Sequence, residues 1–150
     1  MEDAGKQQVI QRKTAQGKRR SIATGQFGPA HWVACTPNGP VYFLKGGVLC
    51  RLAPTGQLTR LTGHLGYSPR ASHALMGLWT DARGRVYVAN ARENIVQRVA
   101  TDDTVTTVAT GSATWTASGG TVTRAGDLWL LEYTIGNDVR VRRIAGAGKS

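Results

Sequence analysis

One pattern of short apolar runs recurs along this chain, and it limits the possible folds more than any composition figure does. In residues 77–111, Leu78–Asp81 is followed by the turn Ala82–Arg85 and by Val86–Ala89. The polar loop Asn90–Asn94, the run Ile95–Val99, a turn at Thr101–Asp103 and a last run from Val105 to Ala109 complete the unit. An earlier copy reads Trp32–Cys35, Pro37–Gly39, Val41–Leu44, Val48–Leu52 and Leu58–Leu61, and a later one holds Gly126, Leu128–Leu131 and Arg143–Ala145. Gly39 and Tyr42 stand 45 residues before Gly84 and Tyr87; Gly126 and Trp129 stand 42 after them. At the N-terminus Val9–Arg12 echoes Ile95–Arg98, and Ser21–Gly25 echoes Thr107–Gly111. The apolar residues alternate or form short buried runs and never follow helical spacing, so each run reads as a strand.

A repeat of roughly 40–50 residues with four strands per unit is the signature of propeller blades. The fold class is therefore all-β: a β-propeller segment of about three four-stranded antiparallel blades. Counted in strands (a to d from the first to the last of a blade), the chain reads cd, abcd, abcd, abc. Residues 1–25 are the last two strands of a preceding blade, 26–63 and 64–111 are blades, and 112–150 is an incomplete blade, all in one propeller domain. One small sheet cannot bury both faces, so blades must stack on each other. Tyr42, Tyr87 and Trp129, three residues past the turn glycine, are expected to pack between blades; Trp32, Trp79 and Trp115 flank first strands and are expected in the core, or else as a stacking platform for a sugar or base. The recurring arginines Arg12, Arg51, Arg98 and Arg143 are expected to pair across neighbouring blades.

Nineteen Lys and Arg against nine Asp and Glu leave a net charge of +10. That excess can steer a protein toward anionic partners, although charge at recurring positions favours a structural purpose. Lys18–Arg20 and the group Arg140, Arg142 and Arg143 are placed on outer strands or bottom loops. Cys35 and Cys50 fall on strands a and c of one blade, about 9–10 Å apart, too far for a disulfide. They read as small buried thiols. No apolar run approaches the ~20 residues of a membrane span, and the polar start MEDAGKQQ is not a signal peptide. The compartment is left open. The ending Ala147-Gly148-Lys149-Ser150 lacks the first glycine of a phosphate-binding loop, because Arg143 stands there.

The stretch GLWTDARGRVYVANARENIVQRV resembles the NHL repeat, closely over residues 76–100, partly over 32–62 and faintly over 115–145. The earlier copy departs from it, with Cys35 and Thr36 in place of Thr80 and Asp81. The resemblance implies a six-bladed propeller related to gluconolactonase-like proteins. Six blades need about 270 residues, and known propellers begin at four blades. The chain is thus expected to be part of a longer propeller, or to self-associate so that two copies close one ring.

The resemblance also implies a ligand face formed by the d–a and b–c loops. His31, His64 and His73 are placed in d–a connections. Lys45, Asn90, Arg92, Glu93, Asn94, Glu132, Asn137 and Asp138 are placed at b–c loops. By likeness to the gluconolactonase-like relatives, Asn90 and Glu132 are candidate ligands for calcium or zinc. The function expected is a binding scaffold for a protein or small-molecule ligand, more in keeping with a non-enzyme. The alternatives are a metal-dependent lactonase-like hydrolase and, less favoured, RNA binding through a basic surface. No membrane span is expected.

Overall fold

A computed structural model describes residues 8–13, 15–25, 30–36, 39–45, 48–61, 65, 75–100 and 102–148. These form thirteen strands and no helix. Strands β1 (Gln8–Lys13) and β2 (Arg19–Gly25) make a hairpin. A first sheet holds β3 (Ala30–Cys35), β4 (Val41–Lys45), β5 (Val48–Leu52) and β6 (Leu58–Arg60). A second holds β7 (Leu75–Thr80), β8 (Val86–Asn90), β9 (Ile95–Val99) and β10 (Val105–Thr110). The third holds β11 (Thr116–Val122), β12 (Leu128–Tyr133) and β13 (Val139–Ile144). Each sheet is an antiparallel meander in chain order. The grouping two, four, four, three is the one the repeat implies.

The copies agree in detail. The first strand pair of each of these three sheets carries a bulge, opposite Ala89 and Asn90 in the second, at the equivalent Leu131 and Glu132 in the third, and one residue earlier, opposite Phe43 and Leu44, in the first. An extra residue there bends the strand and sharpens its twist. The turns into β8 and β12 use Gly84 and Gly126 at φ of 80° and 86°, a region that glycine enters without steric cost.

Cores lie between sheets. Tyr42, Leu44 and Leu49 of the first sheet meet Leu75, Val86, Val88 and Val99 of the second. Trp79, Tyr87 and Val96 of the second meet Ala117, Leu128 and Leu130 of the third. The Trp79 and Tyr87 rings stack with centroids 5.8 Å apart. Ile10 of the hairpin packs on Val41, Phe43, Cys50 and Leu52. β7 touches β11, and Thr80 Oγ1 of β7 donates to the Cys35 carbonyl of β3 at 3.0 Å.

Asp81 locks the turn of the second sheet. Its Oδ1 accepts from the backbone N–H groups of Arg83 (2.9 Å) and Arg85 (3.0 Å). Its Oδ2 accepts from Arg85 Nε at 2.7 Å and from the Tyr87 hydroxyl at 3.1 Å. Arg85 goes on to donate to the Gly148 carbonyl, which ties this turn to the segment after β13.

Several expectations are corrected. Tyr42 and Tyr87 are buried between sheets, but Trp129 is exposed, because no described sheet follows its face. Trp79 is core, whereas Trp32 sits on the bulge of β3 with φ of 59° and points into solvent. Cys50 is a buried free thiol and Cys35 an exposed one. Arg51 does cross between sheets, to Asp103 at 3.1 Å, while Arg143 pairs inside its own sheet with Asp127 at 2.6 Å.

Burial first, and the Asp81 carboxylate second, push the Tyr87 phenol above its ordinary value. Burial also raises Tyr42, against the Arg51 guanidinium. A raised acid favours the folded state while it is protonated. That stability is fully present below the unfolded value of about 10 and is lost as pH rises beyond it. Urea midpoints are expected to hold level to about pH 9 and to fall above about pH 10. Tyr87→Phe should flatten part of the alkaline fall, and should cost ~0.5–1.5 kcal/mol at neutral pH through the lost hydrogen bond.

Candidate functional site

The starts of β7 and β11 and the loops after β8 and β12 lie at one end of the sheets. The side chains predicted for a binding face divide there into two groups. Asn90 ends β8 and is buried. Its Nδ2 donates to the Leu65 carbonyl at 3.2 Å, and its Oδ1 accepts from the Glu93 N–H at 3.2 Å. It therefore joins one loop to the next and has little left for a ligand. Asn94 and Asn137 hold the left-handed turn positions, φ 53° and 64°, of the two matching loops. Asp138 closes its own turn, accepting from the Thr134 hydroxyl at 3.3 Å. Arg92 and Glu93 are exposed on the turn.

Glu132 is different. It is the last inward-facing residue of β12, in line with Leu128 and Leu130, and its side chain is fully buried. Burying an unpaired carboxylate would be prohibitive. The hairpin supplies the answer. Arg140 lies directly across from Glu132, and Arg142 across from Leu130, so both arginines share its face. Arg140 Nε donates to Oε2 at 2.7 Å. Arg142 reaches Oε1 through Nε at 2.9 Å and Nη2 at 2.7 Å. Arg142 Nη2 also donates to the Thr110 carbonyl at the end of β10, at 3.1 Å, which links the second and third sheets. The Arg140 guanidinium lies 4.2 Å from the ring centroid of Trp115, in the loop before β11.

This cluster carries one negative and two positive charges. Its carboxylate is sealed, yet Arg140 and Arg142 keep 37% and 30% of their side-chain surface in contact with solvent. Guanidinium groups so held lose little freedom on meeting a carboxylate or phosphate, which they can engage with two parallel donors. The arrangement suits an anion and disfavours a cation beside Glu132, whose two oxygens are both taken. Among the described residues, no group of three or more His, Cys, Asp or Glu side chains is placed to hold a metal ion.

Both arginines lie on β13, the outer strand of the third sheet, with their side chains on the face of Glu132. The signal available was the hairpin itself: with a turn over Thr134–Asp138, residue 140 must face residue 132. Of the histidines, His31 belongs by its backbone to β3, paired with Leu44, rather than to a loop. His64 and His73 lie outside the described residues.

Solved structures with the same plan are all similar in fold and distant in sequence. A virginiamycin B lyase from Staphylococcus aureus matches 91% of this chain and 48% of its own, at 16% identity and a TM-score of 0.58. A gluconolactonase from Xanthomonas campestris matches 79% and 44%, at 15% and 0.59. A luciferin-regenerating enzyme matches 92% and 52%, at 13% and 0.62. The fold is a β-propeller. Its sheets are blades, β3, β7 and β11 are their innermost strands, and this chain spans about half the length of these propellers. No protein-family model matches the chain, and no curated protein sequence does. Among the described residues no helix is long and apolar enough to cross a membrane.

Proposed function

We propose that the protein is an NHL-like propeller scaffold, built on a six-bladed plan, whose d–a/b–c loop face grips an anionic group of a ligand or protein partner. One observation carries this reading: a fully buried carboxylate, Glu132, holds two half-exposed guanidinium groups at that face, one of them stacked on Trp115. A titration with citrate or inorganic phosphate, followed by tryptophan emission, tests it. A saturable change is expected, absent in Trp115→Phe and shifted ~10–100-fold to weaker binding in Arg140→Ala, as the loss of a charged hydrogen bond of ~1.5–3 kcal/mol implies. An emission response unaffected by either substitution would refute the assignment.

The fold likeness to a gluconolactonase supports a second reading, a metal-dependent lactonase-like hydrolase. It requires the Glu132 carboxylate to exchange its arginines for calcium or zinc. Calorimetry with each metal separates the two readings. The hydrolase reading expects tight binding that Glu132→Gln weakens, and the scaffold reading expects none.

A further inference from the structure

A cavity of about 270 Å³ opens between the second and third blades, at the end of the sheets away from Glu132. Its walls are two equivalent turns, the one from β7 into β8 and the one from β11 into β12. Strands as long as β8 and β12, with five and six residues, span roughly 17–20 Å. The cavity therefore stands well apart from the Glu132 cluster. Asp81, Arg83 and Arg85 line it from one turn, Thr123 and Arg124 from the other, and Gly148 from the segment after β13.

Charge decides what such a cavity takes. Three of these residues carry a guanidinium and one a carboxylate. Asp81 is already satisfied by its four donors, and Arg85 offsets its charge at 2.7 Å. Arg83 and Arg124 then set the sign of the site. Both are exposed, and neither takes part in an ion pair among the described residues. The turn itself does not require them. In the first copy the same place reads Pro37-Asn38-Gly39, with no cation, and the two arginines hold different positions relative to Gly84 and Gly126.

Other groups add fixed donors. Thr123 Oγ1 accepts from the Asp127 N–H at 3.0 Å, which leaves its hydroxyl proton to donate. Arg85 is held from two sides, by Asp81 and by the Gly148 carbonyl, so its guanidinium is in place before a ligand arrives. Donors that approach from two turns suit a group with acceptor oxygens on several sides. Phosphate has that shape and a planar carboxylate does not. Guanidinium groups also engage phosphate through two parallel donors.

We infer that this cavity binds a phosphate group, free or as the monoester of a small molecule, between the turns of the second and third blades. A bound phosphate offsets the repulsion of Arg83 and Arg124 and ties the two blades together. The site is independent of the anion site around Trp115.

Amide proton–nitrogen correlation spectra of the 150-residue chain test it, with inorganic phosphate, glycerol phosphate and acetate as probes. Saturable shifts are expected at Arg83, Thr123, Arg124 and Gly148 with either phosphate. Arg83→Ala and Arg124→Ala should each weaken binding about 10–100-fold, as the loss of one charged hydrogen bond implies. Both side chains are exposed on turns, so folding is retained, as unchanged strand amides would verify. Arg140→Ala should leave these shifts as in the parent, which separates this site from the one at the other end. Tighter binding of the ester assigns an esterified ligand; equal or weaker binding assigns free phosphate. Shifts that grow without saturating overturn the inference, as do shifts unaltered in both Arg83→Ala and Arg124→Ala. Acetate that binds as tightly as phosphate overturns it too.

Discussion

Asp81→Ala is expected to destabilise the protein by ~3–5 kcal/mol, the usual loss when one partner of a buried ion pair is removed. Four donors converge on this carboxylate, two from the backbone and two from side chains. The side chains of Asp81 and Arg85 are 4% and 11% exposed, so the orphaned guanidinium has little water to turn to. The Tyr87 hydroxyl would lose its acceptor in the same step. Asp102 gives the contrast. It also caps a turn, accepting from the Thr104 N–H at 3.1 Å, and that hydrogen bond lowers its carboxyl below the ordinary range. It stands in solvent, and its removal should barely move the urea midpoint. Equal losses for the two variants would mean that the turn, and not the buried knot, holds the second blade.

Gly77→Ala is expected to cost ~1–3 kcal/mol, the range for forcing an extra carbon into a packed interior. A Cβ on Gly77 would lie 2.3 Å from the Ser118 carbonyl oxygen and 3.1 Å from Gly119 Cα, both backbone atoms of β11. Backbone cannot swing aside as a side chain can, so the second and third blades must part. A Cβ on Gly119 meets nothing within 4 Å, and Gly119→Ala should leave stability nearly unchanged. Thermal unfolding of the two variants side by side makes the comparison. If they behaved alike, the close approach of β7 and β11 would be in doubt.

Strand grouping was readable because it depends on local signals, namely alternation, glycine turns and a repeat that states each signal more than once. The burial of Tyr42 and Tyr87 followed from their position in that repeat. Trp129 shows where the logic ends: its own sequence matches theirs, but burial is decided by the neighbour across the face. Trp32 departed because a bulge turns its side chain outward, and a bulge leaves no mark in the alternation around it. Asn90 was placed on the ligand face by its position at a b–c loop; its amide joins two loops there. Glu132 was singled out correctly as a carboxylate in need of a partner. Its partners went unseen because the register of β12 against β13 was not carried across the turn.

The central claim is that consecutive repeats are blades stacked face to face, with the second closed onto the third around Tyr87. Methyl-labelled leucine with protonated aromatic rings allows a direct check by nuclear Overhauser spectroscopy. Cross-peaks are predicted from the Leu128 and Leu130 methyl groups to the rings of Tyr87 and Trp79, which share one core. Leu131, on the opposite face of the same strand, should give none to either ring. The reverse pattern, or no contact between these leucines and rings, would contradict the stacking.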